Sequence, residues 1–146
     1  MTLDPLANFY RARSLAVVAA LIAAAACAPN DIATARCTNT VLSVHDEWTC
    51  TVTGAVVGQT NSVEFDTESR NHVAQVSIVL SVMKGSVRVR YADLSGSQQV
   101  IVTPSEPANI NMKTRMHPER RSFTVSFEPV NGKAEGLTGT VKYSTP

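Results

Sequence analysis

From residue 48 onward the chain alternates apolar and polar positions with a period of two, the signature of strands that bury one face. Trp48, Cys50 and Val52 alternate with Thr49, Thr51 and Thr53, so Cys50 is expected to point inward beside Trp48. Val63 and Phe65 alternate with Glu64, Asp66 and Glu68. The longest apolar row is Ala74, Val76, Ile78, Leu80 and Val82, which predicts a central strand. Val87, Val89 and Tyr91 follow, with Lys84-Gly85 at the spacing of a tight hairpin between the two rows. Asp93-Leu94-Ser95-Gly96 is a second turn before a strand over 99–103. Pro104 and Pro107 then interrupt the ladder, since proline has no N–H to donate. Ile110, Met112, Thr114 and Met116 form the next row, and Phe123, Val125 and Phe127 the one after. A turn at Asn131-Gly132 leads to Leu137, Gly139, Val141 and Tyr143.

About eight strands at regular spacing and no helical periodicity past residue 30 predict an all-β domain, an antiparallel β-sandwich or jelly roll. The abundance of Thr, Ser and Val suits half-buried sheets. The row Gly85-Ser86-Val87-Arg88-Val89-Arg90-Tyr91 and the strand rhythm around it resemble the jelly-roll modules appended to secreted bacterial proteins, including the pre-peptidase C-terminal type. The resemblance covers the second half of the chain, from about Val73.

The first 26 residues follow a different rule. Arg11 and Arg13 precede a run of small and apolar residues from Ser14 to Ala26. A membrane-spanning helix needs about 17–25 apolar residues, and this run is shorter. A basic start, a short apolar stretch and small residues at its end describe a helical signal segment over 1–26, with an uncleaved signal anchor as the alternative. Ala24-Ala25-Ala26-Cys27 resembles the lipobox of bacterial lipoproteins, although Ala24 stands where leucine is commonest. The resemblance implies acylation of Cys27, which then becomes the first residue. Conventional cleavage after Ala26 or after Ala35 competes, because Ala24-Ala25-Ala26 and Ala33-Thr34-Ala35 both satisfy the small-x-small rule.

The cysteines weigh in that choice. The chain has 3, an odd number for an oxidising compartment. With Cys27 lipidated, Cys37 and Cys50 remain as a disulfide pair; two reduced cysteines are the alternative. The expected organisation is a signal over 1–26, a tether over 27–36 and a β-sandwich over 37–146. It implies a protein outside the cytoplasm, anchored to a bacterial cell membrane, or secreted if Cys27 carries no lipid.

Charge and motifs narrow the chemistry. Without Asp4, Arg11 and Arg13 the remaining chain has equal numbers of basic and acidic residues, which argues against nucleic acid as a partner. No nucleophile-elbow, zincin, phosphate-loop or dinucleotide motif is present. His45, His72 and His117 are not spaced as metal ligands, so no metal or other cofactor is expected and the domain is read as not an enzyme. Glu64, Asp66 and Glu68 share one strand face; a Ca²⁺ site is the functional reading and a solvated face the simpler one. Lys113, Arg115, His117, Arg120 and Arg121 form the most specific candidate patch, suited to anionic headgroups, an acidic glycan or an acidic protein, or else serving as a charged rim. Trp48, Tyr91 and Tyr143 lie in phase with their apolar rows, which predicts packing rather than sugar stacking. The resulting expectation is a non-catalytic envelope protein making structural or protein contacts, with a glycan- or ligand-binding module as the alternative and an enzyme with an unfamiliar site as a further one.

Overall fold

A computed structural model describes residues 31–40 and 46–145. The signal segment, Cys27, His45 and residues 28–30 lie outside the described residues. Eight antiparallel strands follow in chain order: β1 (Thr34–Asn39), β2 (Asp46–Val57), β3 (Asn61–Asp66), β4 (Val73–Ser81), β5 (Lys84–Asp93), β6 (Gly96–Val102), β7 (Ala108–Arg115) and β8 (Ser122–Thr145). There is no helix among the described residues.

The strands build a sandwich whose two sheets share β8. The C-terminal part of β8 lies between β2 and β4, giving the order β1-β2-β8-β4-β7. Its N-terminal part lies between β3 and β5, and β6 completes that second sheet beyond β5. Direction changes where β8 passes from one sheet to the other. Asn131 (φ 57°), Gly132 (φ 106°) and Gly136 (φ 66°) adopt left-handed backbone there, a conformation open to glycine and tolerated by asparagine. The expected turn at Asn131-Gly132 is therefore an arch between layers. Val130 pairs with Ser86 and Ala134 with Val57, so a ladder is kept on each side of the arch, and Lys84 at the start of β5 reaches across it to pair with Glu135.

The same end of the sandwich corrects the expected hairpin at Lys84-Gly85. β4 pairs with β7 and β8, whereas β5 pairs with β6 and β8. Val82, only 4% exposed, turns into the core at the crossing between them. Alternation along two successive strands is identical for a hairpin and for a crossing, which is why the pattern misled. The Asp93–Gly96 turn does close a hairpin, with Asp93 paired to Gly96. The proline segment separates β6 from β7 as expected, and β4 lies inside its sheet between β7 and β8.

Inward rows from both sheets form one core that includes Val52, Val76, Ile78, Leu80, Phe65, Val125 and Phe127. Tyr143 ties the layers together. Its ring stands edge-on to Phe123 at 5.1 Å and to Phe65 at 6.1 Å, and its hydroxyl donates to the Asp66 carbonyl at 2.7 Å. Each such aromatic pair adds about 1 kcal/mol to the burial itself. Trp48 stacks on Tyr143 from the neighbouring strand.

Cys37 and Cys50 face one another across β1 and β2 and form a disulfide. Cys50 is fully buried while Cys37 lies exposed on the edge strand. The fold also starts earlier than the expected boundary at residue 37. Ala33, 1% exposed, belongs to the core, and its N–H and carbonyl are both bonded to the Asn61 amide. The Asp31 carbonyl accepts from the N–H groups of Gly58 and Gln59, and its carboxylate pairs with Lys133 at 2.6 Å. Residues 31–36, expected in the tether, are thus part of the domain.

Two outcomes follow from this packing. A Cβ at Gly139 would collide with the Val79 carbonyl oxygen and stand 3.0 Å from the Leu80 Cα, both backbone, so Gly139→Ala should cost about 2–3 kcal/mol in urea unfolding. A cost under about 0.5 kcal/mol would deny the close approach of β8 to β4. The Asp93 carboxyl is held below the ordinary carboxylate range, chiefly by the Ser95 hydroxyl and further by the N–H groups of Ser95 and Gly96. A lowered value means that the carboxylate stabilises the turn above about pH 4 and that this contribution fades as the pH falls through the lower folded value. Amide exchange at Ser95 and Gly96 should therefore accelerate in that acid range, beyond its intrinsic pH dependence, and Asp93→Asn should remove the extra acceleration.

Candidate functional site

Outward residues of the five-stranded sheet line up across strands, and this ordering builds a groove near the end that holds β2's first residues. One row runs Glu47, Ser144, Gln75, Lys113 from β2 through β8 and β4 to β7. The next runs Thr49, Lys142, Ser77, Asn111. The two rows line an open groove of 490 Å³, with Trp48 and Tyr143 beneath it. Every outward side chain in the two rows is polar, because the inward phase of the same strands takes Val76, Met112, Val141 and Tyr143 into the core.

Charge is distributed unevenly between the two outer faces. On the four-stranded sheet, Glu128 holds Arg88 at 3.2 Å and Arg90 at 2.8 Å, and Glu64 holds Arg120 at 3.2 Å. On the five-stranded sheet, Arg36, Lys113, Arg115 and Lys142 point outward and form no ion pair among the described residues. Glu47 is the carboxylate described on that face.

The candidate basic patch is consequently divided. Lys113 lines the groove and Arg115 continues the same outward row of β7. His117, Arg120 and Arg121 belong instead to the connection between β7 and β8. There the His117 Nδ1 accepts from the N–H groups of Glu119 and Arg120, and the Arg121 guanidinium donates to the Glu68 carbonyl at 3.2 Å. Arg120 is turned toward Glu64. These contacts make that segment a turn at the sheet end, tied to β3 and to the connection that follows it.

The other candidates are placed plainly. Glu64 accepts from the Ser122 hydroxyl as well as pairing with Arg120, Asp66 ends β3, and Glu68 lies beyond it. No group of three or more potential metal ligands comes together among the described residues. Tyr143 is 3% exposed, and Trp48 and Tyr91 are half-buried against the core, so all three aromatics take the packing role their phase indicates. Sequence reasoning missed Glu47, Gln75, Asn111 and Lys142 as neighbours of Lys113. Their outward phase was readable, but the strand order that assembles them was not.

The sequence matches no known family model and no curated protein. Among solved structures, the PRD1 vertex protein P5 is similar at 10% identity and a TM-score of 0.45, over 77% of this chain and 95% of that one. A xylan-binding CBM22-1 domain from Paenibacillus barcinonensis Xyn10C is similar at 16% identity and a TM-score of 0.38, over 76% of this chain and 83% of that one. A disulfide-linked pilus protein of Bacillus endospore appendages is similar at 13% identity and a TM-score of 0.38, over 78% and 87%. At these values the similarities carry no argument about function.

The turn beside the groove gives a direct check on its geometry. Arg121 has φ 52°, a region that disfavours residues with a Cβ by about 1 kcal/mol. Arg121→Gly should therefore be about 1 kcal/mol more stable than Arg121→Ala in thermal unfolding; equal stability would contradict the left-handed backbone at this position.

Proposed function

We propose that this chain is an exported, non-catalytic binding protein of the bacterial cell envelope, held to a membrane by lipid on Cys27. The observation that carries the reading is the Cys37–Cys50 disulfide. It points to an oxidising compartment and leaves Cys27 as the one remaining cysteine of the chain. That cysteine directly follows the small-residue end of the export-type segment. A diacyl attachment supplies the two chains that stable anchoring requires.

Geometry adds a consequence. Cys27 precedes Asp31 by four residues, which span at most about 14 Å. Asp31 is bonded to Gly58, Gln59 and Lys133 at the arch end of the sandwich. Ten residues of β2 separate that end from Glu47, about 33 Å along the strand. An anchor at Cys27 therefore holds the arch end at the membrane and presents the groove at the far end. A groove lined by hydroxyls, amides and two lysines, with neither an ion pair to those lysines nor a cluster of His, Cys or carboxylates among the described residues, suits binding rather than bond-making.

Intact mass of the membrane fraction tests the anchor. The expected species starts at Cys27 and carries a diacylglyceryl increment, and Cys27→Ser should abolish both the increment and the membrane association. A soluble product starting at another residue would remove the anchor from the proposal.

A further inference from the structure

We infer that the outer face of the five-stranded sheet binds a carboxylate-bearing polysaccharide, a polymer of uronic acid units, seated in the groove between Glu47 and Lys113. This inference deepens the binding role proposed above and is independent of the lipid anchor.

Charge selects the sign of the ligand. The domain is nearly balanced overall, yet the arginines Arg88, Arg90 and Arg120 of the four-stranded face are all ion-paired, two of them to Glu128 and one to Glu64, so that little of their charge is left over. The cations of the five-stranded face, Arg36, Lys113, Arg115 and Lys142, have no ion-pair partner among the described residues. A local excess of unpaired cations attracts anions in a way that the net charge does not reveal. Lys142 and Lys113 lie two strands apart and in adjacent outward rows, about 12 Å from one another by sheet spacing. That separation suits charges repeated along a polymer better than the single charge of a small ligand.

The uncharged lining selects the class. Thr49, Ser77, Ser144, Gln75 and Asn111 offer both donors and acceptors to the groove, which matches the many hydroxyls of a glycan. An acidic protein partner is less well matched, because protein interfaces concentrate aromatic, Met and Arg anchors at their centres and are depleted in Lys and Ser. The rows present no outward aromatic or methionine. Single-stranded nucleic acid on a sheet face calls for aromatic stacking platforms, and Trp48 and Tyr143 are committed to the core side.

Binding of the full-length protein in detergent to polygalacturonate, measured by calorimetry at low and physiological salt, tests the inference. Affinity should fall with salt, and Lys113→Ala combined with Lys142→Ala should weaken binding about tenfold or more. Lys113→Arg with Lys142→Arg should retain it. Glu47→Gln should tighten it severalfold, which a purely structural role for Glu47 would not produce, while Arg90→Ala on the opposite face should leave it unchanged. No binding at low salt, an undiminished affinity in the double alanine variant, or equal affinity for polyglutamate or single-stranded oligonucleotide would overturn the inference. A native protein found without lipid on Cys27 that still binds polygalacturonate would end the anchor and leave this surface standing; a lipidated native protein that ignores the polymer would do the reverse.

Discussion

The structure depends on one strand serving two sheets. β8 hydrogen-bonds to β3 and β5 in its first part and to β2 and β4 in its last. Left-handed backbone at Asn131, Gly132 and Gly136 lets it cross between layers without giving up a ladder on either side. Because it reverses direction at the crossing, residues twenty positions apart on the same strand meet: Phe123 from one layer packs edge-on against Tyr143 from the other. The other crossings at that end, from β2 to β3, β4 to β5 and β6 to β7, follow the same path between sheets. The arch thus fixes which strands are neighbours in each sheet, and through that which side chains share an outer face.

Two outer faces of different electrostatic character result. Glu64 and Glu128 lie on the four-stranded side, where Arg88, Arg90 and Arg120 reach them. Lys142 is carried on the same strand as Glu128, yet beyond the arch, and so belongs to the other face. Had β8 ended at Asn131 and paired back on itself, both residues would lie in one sheet. The Arg120–Glu64 pair is exposed and contributes little stability, about 0–1 kcal/mol, whereas Arg88–Glu128 is half-buried. Their importance lies in the charges they leave unneutralised opposite.

Much of the fold was legible because period-two burial is a local property. The rows around Val76, Val87 and Phe123 predicted their strands, and the inward phase of Cys50, Trp48 and Tyr143 predicted their packing. The Asp93–Gly96 hairpin was readable from its turn residues, and the disulfide from cysteine counting. β1 escaped because Thr34-Ala35-Arg36-Cys37-Thr38-Asn39 is an edge strand with little to bury: only Ala35 among its apolar residues packs on the core. The β4–β5 crossing and the arch escaped because alternation carries no information on which sheet the next strand joins. The expected count of eight strands agrees with the observed one through two offsetting errors, the missed β1 and the separate treatment of the two parts of β8. The candidate patch suffered from the same blindness. Residues 113–121 are close in sequence, but the strand end sends Lys113 and Arg115 to a sheet face and His117, Arg120 and Arg121 into a turn.

Cross-strand nuclear Overhauser contacts between backbone protons around residues 130–135 test the shared strand most directly. Contacts joining Ser86 to Val130 and Val57 to Ala134 are expected, with none of the ladder type joining Val130 to Lys133. A Val130–Lys133 ladder extending to Pro129 and Ala134 would make the segment an ordinary hairpin. Glu128 and Lys142 would then lie in one sheet, and the separation of charge between the two faces would be lost.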